Sequence, residues 1–451
     1  MLTPHSHQIT GALFLAGRKS ALLADEPRVG KSGAAIMAAD LNLEAKILVV
    51  TTASGRAVWK KAFSDWSTFG RTICVLPGRL ADGPMVAIVS WSGITEANTR
   101  AALLARQWDR VILDESHYAK SIETKRTQAA YGNFLNDGQT VDAATALVRK
   151  AGERVWPLTG TPMPNAPNDL YPMLRSLRPE CLLADTGKGW PDVTKYQTFL
   201  HRYCVVRMKK ISNFRKIPVV VGGRNLPELR ARIGDFMLRR TQQDVGILEP
   251  IYDTLPLTVS PAMLREAEKD LDRSAILTAA QEGNTKELEM HLGPLRRITG
   301  AIKAKAVVKA VLEEFECGLD KIVLAYWHKE VGDILAEGLS RVGVVGFDGS
   351  VDLQNRQKAV EQFSTDPKTH VFLGQIAAAG EAIDLSAAAN LLFVETAMQP
   401  AQMKQMSLRI TNTQQTRQAL VRVAALEGSI DEALQTLLMR KWAAIREVLA
   451  T

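Results

Sequence analysis

Two short strings hold the residues that could handle a polyphosphate. Asp25-Glu26-Pro27-Arg28-Val29-Gly30-Lys31-Ser32 follows a short aliphatic run and precedes a helix-like stretch. Backbone N–H groups at a helix N-terminus cradle phosphate oxygens, a lysine there meets the β- and γ-phosphates, and a hydroxyl holds Mg2+. Gly30, Lys31 and Ser32 supply that half of a P-loop, whereas Asp25 stands where the first glycine is usual. The second string, Arg110-Val111-Ile112-Leu113-Asp114-Glu115-Ser116-His117, is an aliphatic strand ending in adjacent carboxylates. In this Walker B arrangement Asp114 would hold Mg2+ and Glu115 would polarise an attacking water. Taken singly, the first string is a surface lysine and the second an acidic turn. In this order, each at a predicted strand end, they point to nucleotide hydrolysis, with ATP and Mg2+ as the expected ligands. A third string, Leu158-Thr159-Gly160-Thr161-Pro162, also follows a strand, and its hydroxyls are expected to link the nucleotide site to a second lobe.

These strings need strands to carry them. In the N-terminal half the apolar runs are 21–24, 47–50, 86–89, 111–113 and 155–158, rich in aliphatic and β-branched residues with helix-like stretches between them. Strands of a buried parallel sheet with crossover helices have this pattern. It repeats at 322–324, 342–345, 371–373, 391–394 and 420–423. The expected fold class is α/β, with two lobes that are each a parallel sheet flanked by helices. The expected boundaries are 1–241 for lobe one with a basic extension, 242–300 for a helical linker rich in Glu, Lys, Ala and Leu, and 301–451 for lobe two.

The composition suits a globular chain: 451 residues, 46% hydrophobic and 23% charged. No apolar run approaches the ~20 residues of a membrane span, so no membrane partner is expected. The polar start, Met1 to Thr10, lacks a signal peptide's apolar centre. Cys74, Cys181, Cys204 and Cys317 lie far apart, which suggests neither a disulfide framework nor a zinc site and makes a reducing cytoplasm the expected location.

A net charge of +8 favours a polyanionic partner. The cations crowd between His201 and Arg240, opposed there by Glu228 and Asp235, and Lys209, Lys210, Arg215 and Lys216 are expected to meet phosphates. Thr51, Thr52, Ser90 and Trp91 sit at predicted strand ends, where hydroxyls commonly donate to a nucleic-acid backbone.

With these residues in view, nearly the whole chain resembles the Swi/Snf-type ATPases of helicase superfamily two. Leu2 to Gln8 resembles the adenine-reading segment, with Gln8 as its glutamine. Leu23-Ala24-Asp25-Glu26 with Gly30-Lys31-Ser32 resembles the family's P-loop, which also lacks the first glycine. Asp114-Glu115-Ser116-His117 with Lys120, and Leu158 to Pro162 with Asn165, resemble the second and third motifs. Phe199, Arg202-Tyr203-Cys204, Glu228-Leu229 and Phe236 to Arg240 resemble the compact annealing-helicase and fork-remodelling branch. Asp348-Gly349-Ser350 with Arg356 resembles the fourth motif, Ala378 to Leu385 the fifth, and Ser429 to Glu432 the brace after the sixth.

The resemblance implies two RecA-like lobes, ATP with Mg2+, and translocation on double-stranded or branched DNA without obligatory strand separation. It also implies coupling roles for His117, Thr159, Thr161, Gly380 and Gln405. With little expected beyond the two lobes, targeting would come from DNA structure or a protein partner. A monomer is expected, and so compact a form would suit a bacterium or a bacterial virus.

The chain departs from the family at Pro27-Arg28, at Asp384 where asparagine is usual, and at Met398-Gln399-Pro400. In the sixth motif Pro400, Gln405, Arg409, Gln415 and Ser429 keep the family spacing without a gap, and Asn412 takes the place of the second arginine. A second register, pairing Gln402 with Arg409, needs a gap on each side. In both, Arg409 is the expected finger on the γ-phosphate. Asparagine brings no charge, so slow turnover is expected. Two alternatives stay open: an RNA helicase, since phosphates look alike to cations, and an ATP-gated clamp with little hydrolysis.

Overall fold

The computed structural model describes residues 2–42, 45–134, 140–142, 145–164, 166–212, 215–268, 274, 285–376, 383–396, 400–412, 417–427 and 429. Within these, the side chains of 140–142, 209–217, 219, 221, 263, 266–268, 285–298, 353 and 400–401 are not described. The chain divides into two compact units, Met1–Val245 and Gly246–Thr451.

Unit one is built on a parallel sheet. Its described strands are β1 (Leu22–Leu23), β2 (Lys46–Thr51), β3 (Thr72–Val75), β4 (Met85–Ser90), β5 (Trp108–Asp114), β8 (Ala151–Leu158) and β11 (Met237–Leu238). They run in the order β11-β1-β8-β5-β2-β4-β3 with every pairing parallel. Helices α1 (Ser6–Ala16), α2 (Lys31–Ala39) and α3 (Gly55–Trp66) are crossovers or flanking elements of this sheet. Ile47 to Val50 and Val111 to Leu113 are fully buried, because central strands covered on both faces must be apolar throughout. Each such side chain contributes about 1.5–3 kcal/mol of burial. That anchors the strand ends on which Thr51 and Asp114 sit.

Two excursions leave this sheet. Asn133–Phe134 (β6) pairs antiparallel with Thr140–Asp142 (β7). Cys204–Ser212 (β9) and Arg215–Gly223 (β10) form an antiparallel hairpin of their own, with register shifts at Arg215/Lys216 and Val220/Gly222. The basic stretch is therefore partly a two-stranded ribbon.

Unit two has a second parallel sheet, ordered β12-β17-β16-β13-β15-β14 among the described residues. Its strands are β12 (Ile251–Leu257), β13 (Ile322–Tyr326), β14 (Val344–Phe347), β15 (Val371–Gln375), β16 (Asn390–Phe393) and β17 (Leu420–Leu426). The two parallel sheets flanked by helices match the expected fold class. The wholly helical 242–300 linker needs correction. Residues 251–257 are a strand that pairs along its length with β17. It lies at the sheet edge, where Pro256 is tolerated and most side chains reach water, so it lacks the buried aliphatic run that marks the other strands. The helices Pro261–Glu268 and Thr285–Glu316 follow it. Among the described residues no helix is long and apolar enough to cross a membrane.

Candidate nucleotide-hydrolysis site

The loop after β1 turns at Gly30, whose φ of 94° lies in the left-handed region that glycine adopts without steric cost. A Cβ there would come within 2.2 Å of Gln8 Nε2, so the glycine also makes room for the glutamine. Lys31 opens α2, with Ser32 in the first turn, and their position at a helix N-terminus suits an anion. The Lys31 ammonium donates to the carbonyls of Asp25 (2.7 Å) and Glu26 (3.1 Å), folding the loop back over itself. Gln8 is buried, and its Oε1 accepts from the His5 N–H at 2.8 Å. His7 Nε2 donates to the Val29 carbonyl at 2.9 Å. The start of α1 is thus bonded to the phosphate loop at one point and packed on it at another.

Asp114 ends β5 between two tryptophans. Its Oδ2 accepts from Thr51 Oγ1 (2.7 Å) and Trp59 Nε1 (2.8 Å), and its main-chain carbonyl accepts from Trp91 Nε1 (2.8 Å). Burial, then the charge of neighbouring Glu115, pushes the Asp114 carboxyl's pKa up against the opposing pull of Trp59, Thr51 and Lys31. A carboxyl whose pKa is raised by folding binds its proton more tightly in the fold. Stability is therefore lost as pH rises through that raised pKa. Asp114→Asn keeps an acceptor for Thr51 and Trp59 and removes the charge. It is expected to raise the melting temperature of the nucleotide-free protein at neutral pH by about 2–4 °C, the change for ~1 kcal/mol in a unit of this size, while turnover is lost. The gain should shrink at acidic pH, and a melting series in pH with no such trend would contradict the account.

Glu115 has φ 48° and ψ 50°, a left-handed backbone uncommon for a residue with a side chain. Strain of this kind gathers at functional sites. Its Oε2 lies 3.2 Å from His117 Nδ1. The same nitrogen is 3.0 Å from Thr159 Oγ1 and 3.4 Å from Thr161 Oγ1. His117 therefore joins Glu115 to the third motif. The third motif also packs on the phosphate loop: a Cβ on Gly160 would come within 2.7 Å of Pro27 Cδ.

The four strand-end residues expected to meet nucleic acid all have partners within the protein. Thr51 and Trp91 are buried and brace Asp114, so the contact expected of their side chains is corrected to a structural one. Thr52 Oγ1 accepts from the Gly55 N–H (3.0 Å) and Ser90 Oγ from the Gly93 N–H (3.0 Å). Each caps the turn that follows its strand. In the basic stretch, Arg202 and Arg232 pair with Glu228, and Arg232 also donates to the carbonyls of Cys181, Leu183 and Pro191. Arg239 lies 3.9 Å from Glu26, and Arg240 pairs with Asp25. These cations are held by the protein's own acceptors, which sequence counting cannot show. Lys209 and Lys210 lie on β9, Arg215 and Lys216 on β10, with Lys210 opposite Lys216, and their side chains lie outside the described residues.

The Asp25–Arg240 pair was missed as part of the site. The signal available was an aspartate in place of the loop's first glycine, with an arginine pair far along the chain. Arg239 and Arg240 follow β11, the neighbour of β1, so topology brings them to the loop. Glu26 N–H donates to the Arg240 carbonyl (2.9 Å), Gln242 N–H to Glu26 Oε2 (3.0 Å) and Gln242 Nε2 to the Pro27 carbonyl (2.9 Å).

In unit two Gln405 lies on the helix Pro400–Ser407, and Arg409 follows it, 8% exposed. The Leu385 N–H donates to the Arg409 carbonyl at 3.0 Å. Asn412 Nδ2 donates to Ser386 Oγ (2.7 Å), whose hydroxyl donates to Asp384 Oδ1 (2.6 Å). The two departures from the family pattern, Asp384 and Asn412, are thus linked through one serine. Gly380 and Gln415 lie outside the described residues.

A family model described as the SNF2-related domain matches residues 7–291. The chain belongs to the SNF2-related domain family. This SNF2-related chain is 26% identical over 452 residues to the SWI/SNF-related matrix-associated actin-dependent regulator of chromatin subfamily A-like protein 1 of Xenopus tropicalis, covering 96% of this chain and 44% of that one. It is 28% identical over 455 residues to the DNA annealing helicase and endonuclease ZRANB3 of Mus musculus, covering 96% of this chain and 40% of that one. The chain thus spans less than half the length of these two relatives. A solved structure, the Sulfolobus solfataricus SWI2/SNF2 ATPase core in complex with dsDNA, aligns over 99% of this chain and 93% of its own at 18% identity and a TM-score of 0.43.

Proposed function

We propose that this SNF2-related chain is an ATP hydrolase that couples turnover to movement on duplex DNA. The observation that carries the proposal is the convergence, at the C-terminal ends of the inner strands of the first sheet, of Lys31 at a helix N-terminus, Asp114 held by three donors, and Glu115 joined through His117 to Thr159 and Thr161. A triphosphate at the helix N-terminus would draw the Lys31 ammonium from the Asp25 and Glu26 carbonyls. Ser32 and Asp114 would hold Mg2+, since each offers an oxygen and Asp114 lies close enough to feel the charge of Lys31, the residue before Ser32. Mg2+, when bound, supplies charge that offsets the phosphate oxygens. Glu115 takes up the proton of an attacking water, and His117 relays the state of Glu115 to the third motif. We place Arg409 in hydrolysis and Gln8 beside the adenine.

The names of the two relatives speak of chromatin and of DNA annealing, which favours DNA over RNA. The β9–β10 hairpin, with Lys209, Lys210, Arg215 and Lys216 on its strands, is the proposed phosphate-contacting ribbon. ATP turnover measured alone, with duplex DNA, with single-stranded DNA and with RNA tests this. Duplex DNA should stimulate most, and reversing the four hairpin cations to glutamate should raise the DNA needed for half-maximal stimulation by about tenfold or more at moderate salt. Greater stimulation by RNA would overturn the choice of polymer, and an unchanged DNA requirement would move the contact off the hairpin.

A further inference from the structure

Asp25 places a carboxylate in a loop that would bind phosphates. Its main-chain carbonyl receives the Lys31 ammonium at 2.7 Å, so it stands beside the group that meets the phosphates, and its side chain is 1% exposed. A buried carboxylate there would oppose a triphosphate, because like charges a few ångströms apart in a low-dielectric setting repel strongly. Arg240 answers that charge. Its Nε donates to Oδ1 at 3.0 Å, its Nη2 to Oδ2, and its Nη1 to the His7 carbonyl. Space for the guanidinium comes from Gly11 of α1, where a Cβ would lie 2.8 Å from Nη2. One side chain therefore ties together the phosphate loop, the helix that carries Gln8 and the strand end after β11.

That strand end is bonded to the loop along its main chain as well. Ala24 N–H donates to Leu238 O (2.7 Å) and Glu26 N–H to Arg240 O (2.9 Å), while Gln242 holds Glu26 and Pro27. The chain passes to unit two at Gly246, shortly after this clamp.

We propose that Arg240 is a positioning residue of the nucleotide site: it neutralises Asp25 so that the loop accepts a polyphosphate, and it holds the last strand of unit one on that loop. The inference rests on the loop being the ATP site. With Arg240→Gln, Asp25 becomes an uncompensated buried carboxylate beside the phosphates. ATP affinity should fall about tenfold or more, while AMP, whose single phosphate lies away from the lysine, should lose less than about threefold. Removing the opposing charge should rescue binding: Asp25→Asn combined with Arg240→Gln should recover ATP affinity to within about threefold of the wild type.

Calorimetric titration of the full chain with ATP and AMP, alongside thermal melts, makes the test. Rescue by the double variant with the ATP-selective loss supports the proposal. Equal losses for ATP and AMP, or no rescue in a double variant that melts like the wild type, reduces Arg240 to a structural brace and overturns it. Lys31→Ala is the control on the site itself. If Lys31→Ala abolishes ATP binding and Arg240→Gln does nothing, this proposal fails alone. If Lys31→Ala binds ATP normally, the assignment of the site fails.

Discussion

Glu115→Gln is expected to bind ATP nearly as tightly as the wild type and to hydrolyse it about 10²–10⁴-fold more slowly, the range typical of losing a positioned general base. The amide keeps the shape and the left-handed backbone of the residue but cannot take up a proton. Lys31 and the helix N-terminus, which would hold the phosphates, are untouched. Lys31→Ala should show the opposite pattern, with binding itself lost. Calorimetry for binding and single-turnover hydrolysis for chemistry separate the two variants. Hydrolysis by Glu115→Gln at the wild-type rate would mean that the base lies elsewhere.

A second large effect is expected at Arg409. Arg409→Ala should lower DNA-stimulated turnover by about 10³-fold or more while ATP still binds, the scale of losing an arginine finger. The 8% exposure of Arg409 gives that expectation a competitor, a purely structural arginine, so the variant's melting temperature must be read beside its rate. Asn412 complicates the wild type. It donates to Ser386, whose hydroxyl serves Asp384. A guanidinium introduced by Asn412→Arg would meet the Asp384 carboxylate, so Asn412→Arg alone should raise turnover less than Asn412→Arg combined with Asp384→Asn. Intact turnover in Arg409→Ala would shift the role to another arginine, such as the exposed Arg417.

The parts of the site legible in the sequence are those that strands and helices place by local rules. An aliphatic run ending in Asp114-Glu115 puts its carboxylates at the end of a buried strand, and Gly30-Lys31 after another run opens a helix. His117 and Thr159 also fall at strand ends, and the structure joins them at 3.0 Å. The parts that were not legible depend on which strands become neighbours. Asp25 and Arg240 are 215 positions apart, and only the pairing of β1 with β11 brings them together. Arg202, Arg232, Arg239 and Arg240 add to a count of cations, yet each faces a carboxylate of the same chain. Thr51 and Trp91 mark strand ends correctly but turn inward to Asp114: Thr51 ends β2, the direct neighbour of β5, and the long indole of Trp91, just beyond β4, reaches past β2 to the Asp114 carbonyl. The hairpin and the edge strand β12 escaped because exposed, mixed-polarity strands lack the apolar run on which recognition rests.

The central claim, a motor on duplex DNA driven by the Lys31–Asp114–Glu115 site, is tested most directly by displacement of a third strand from a triplex on duplex DNA. The wild type with ATP should displace the third strand at a rate that depends on ATP, with Glu115→Gln inactive in the same assay. ATP turnover stimulated by duplex DNA with no displacement, or displacement that persists in Glu115→Gln, would contradict it.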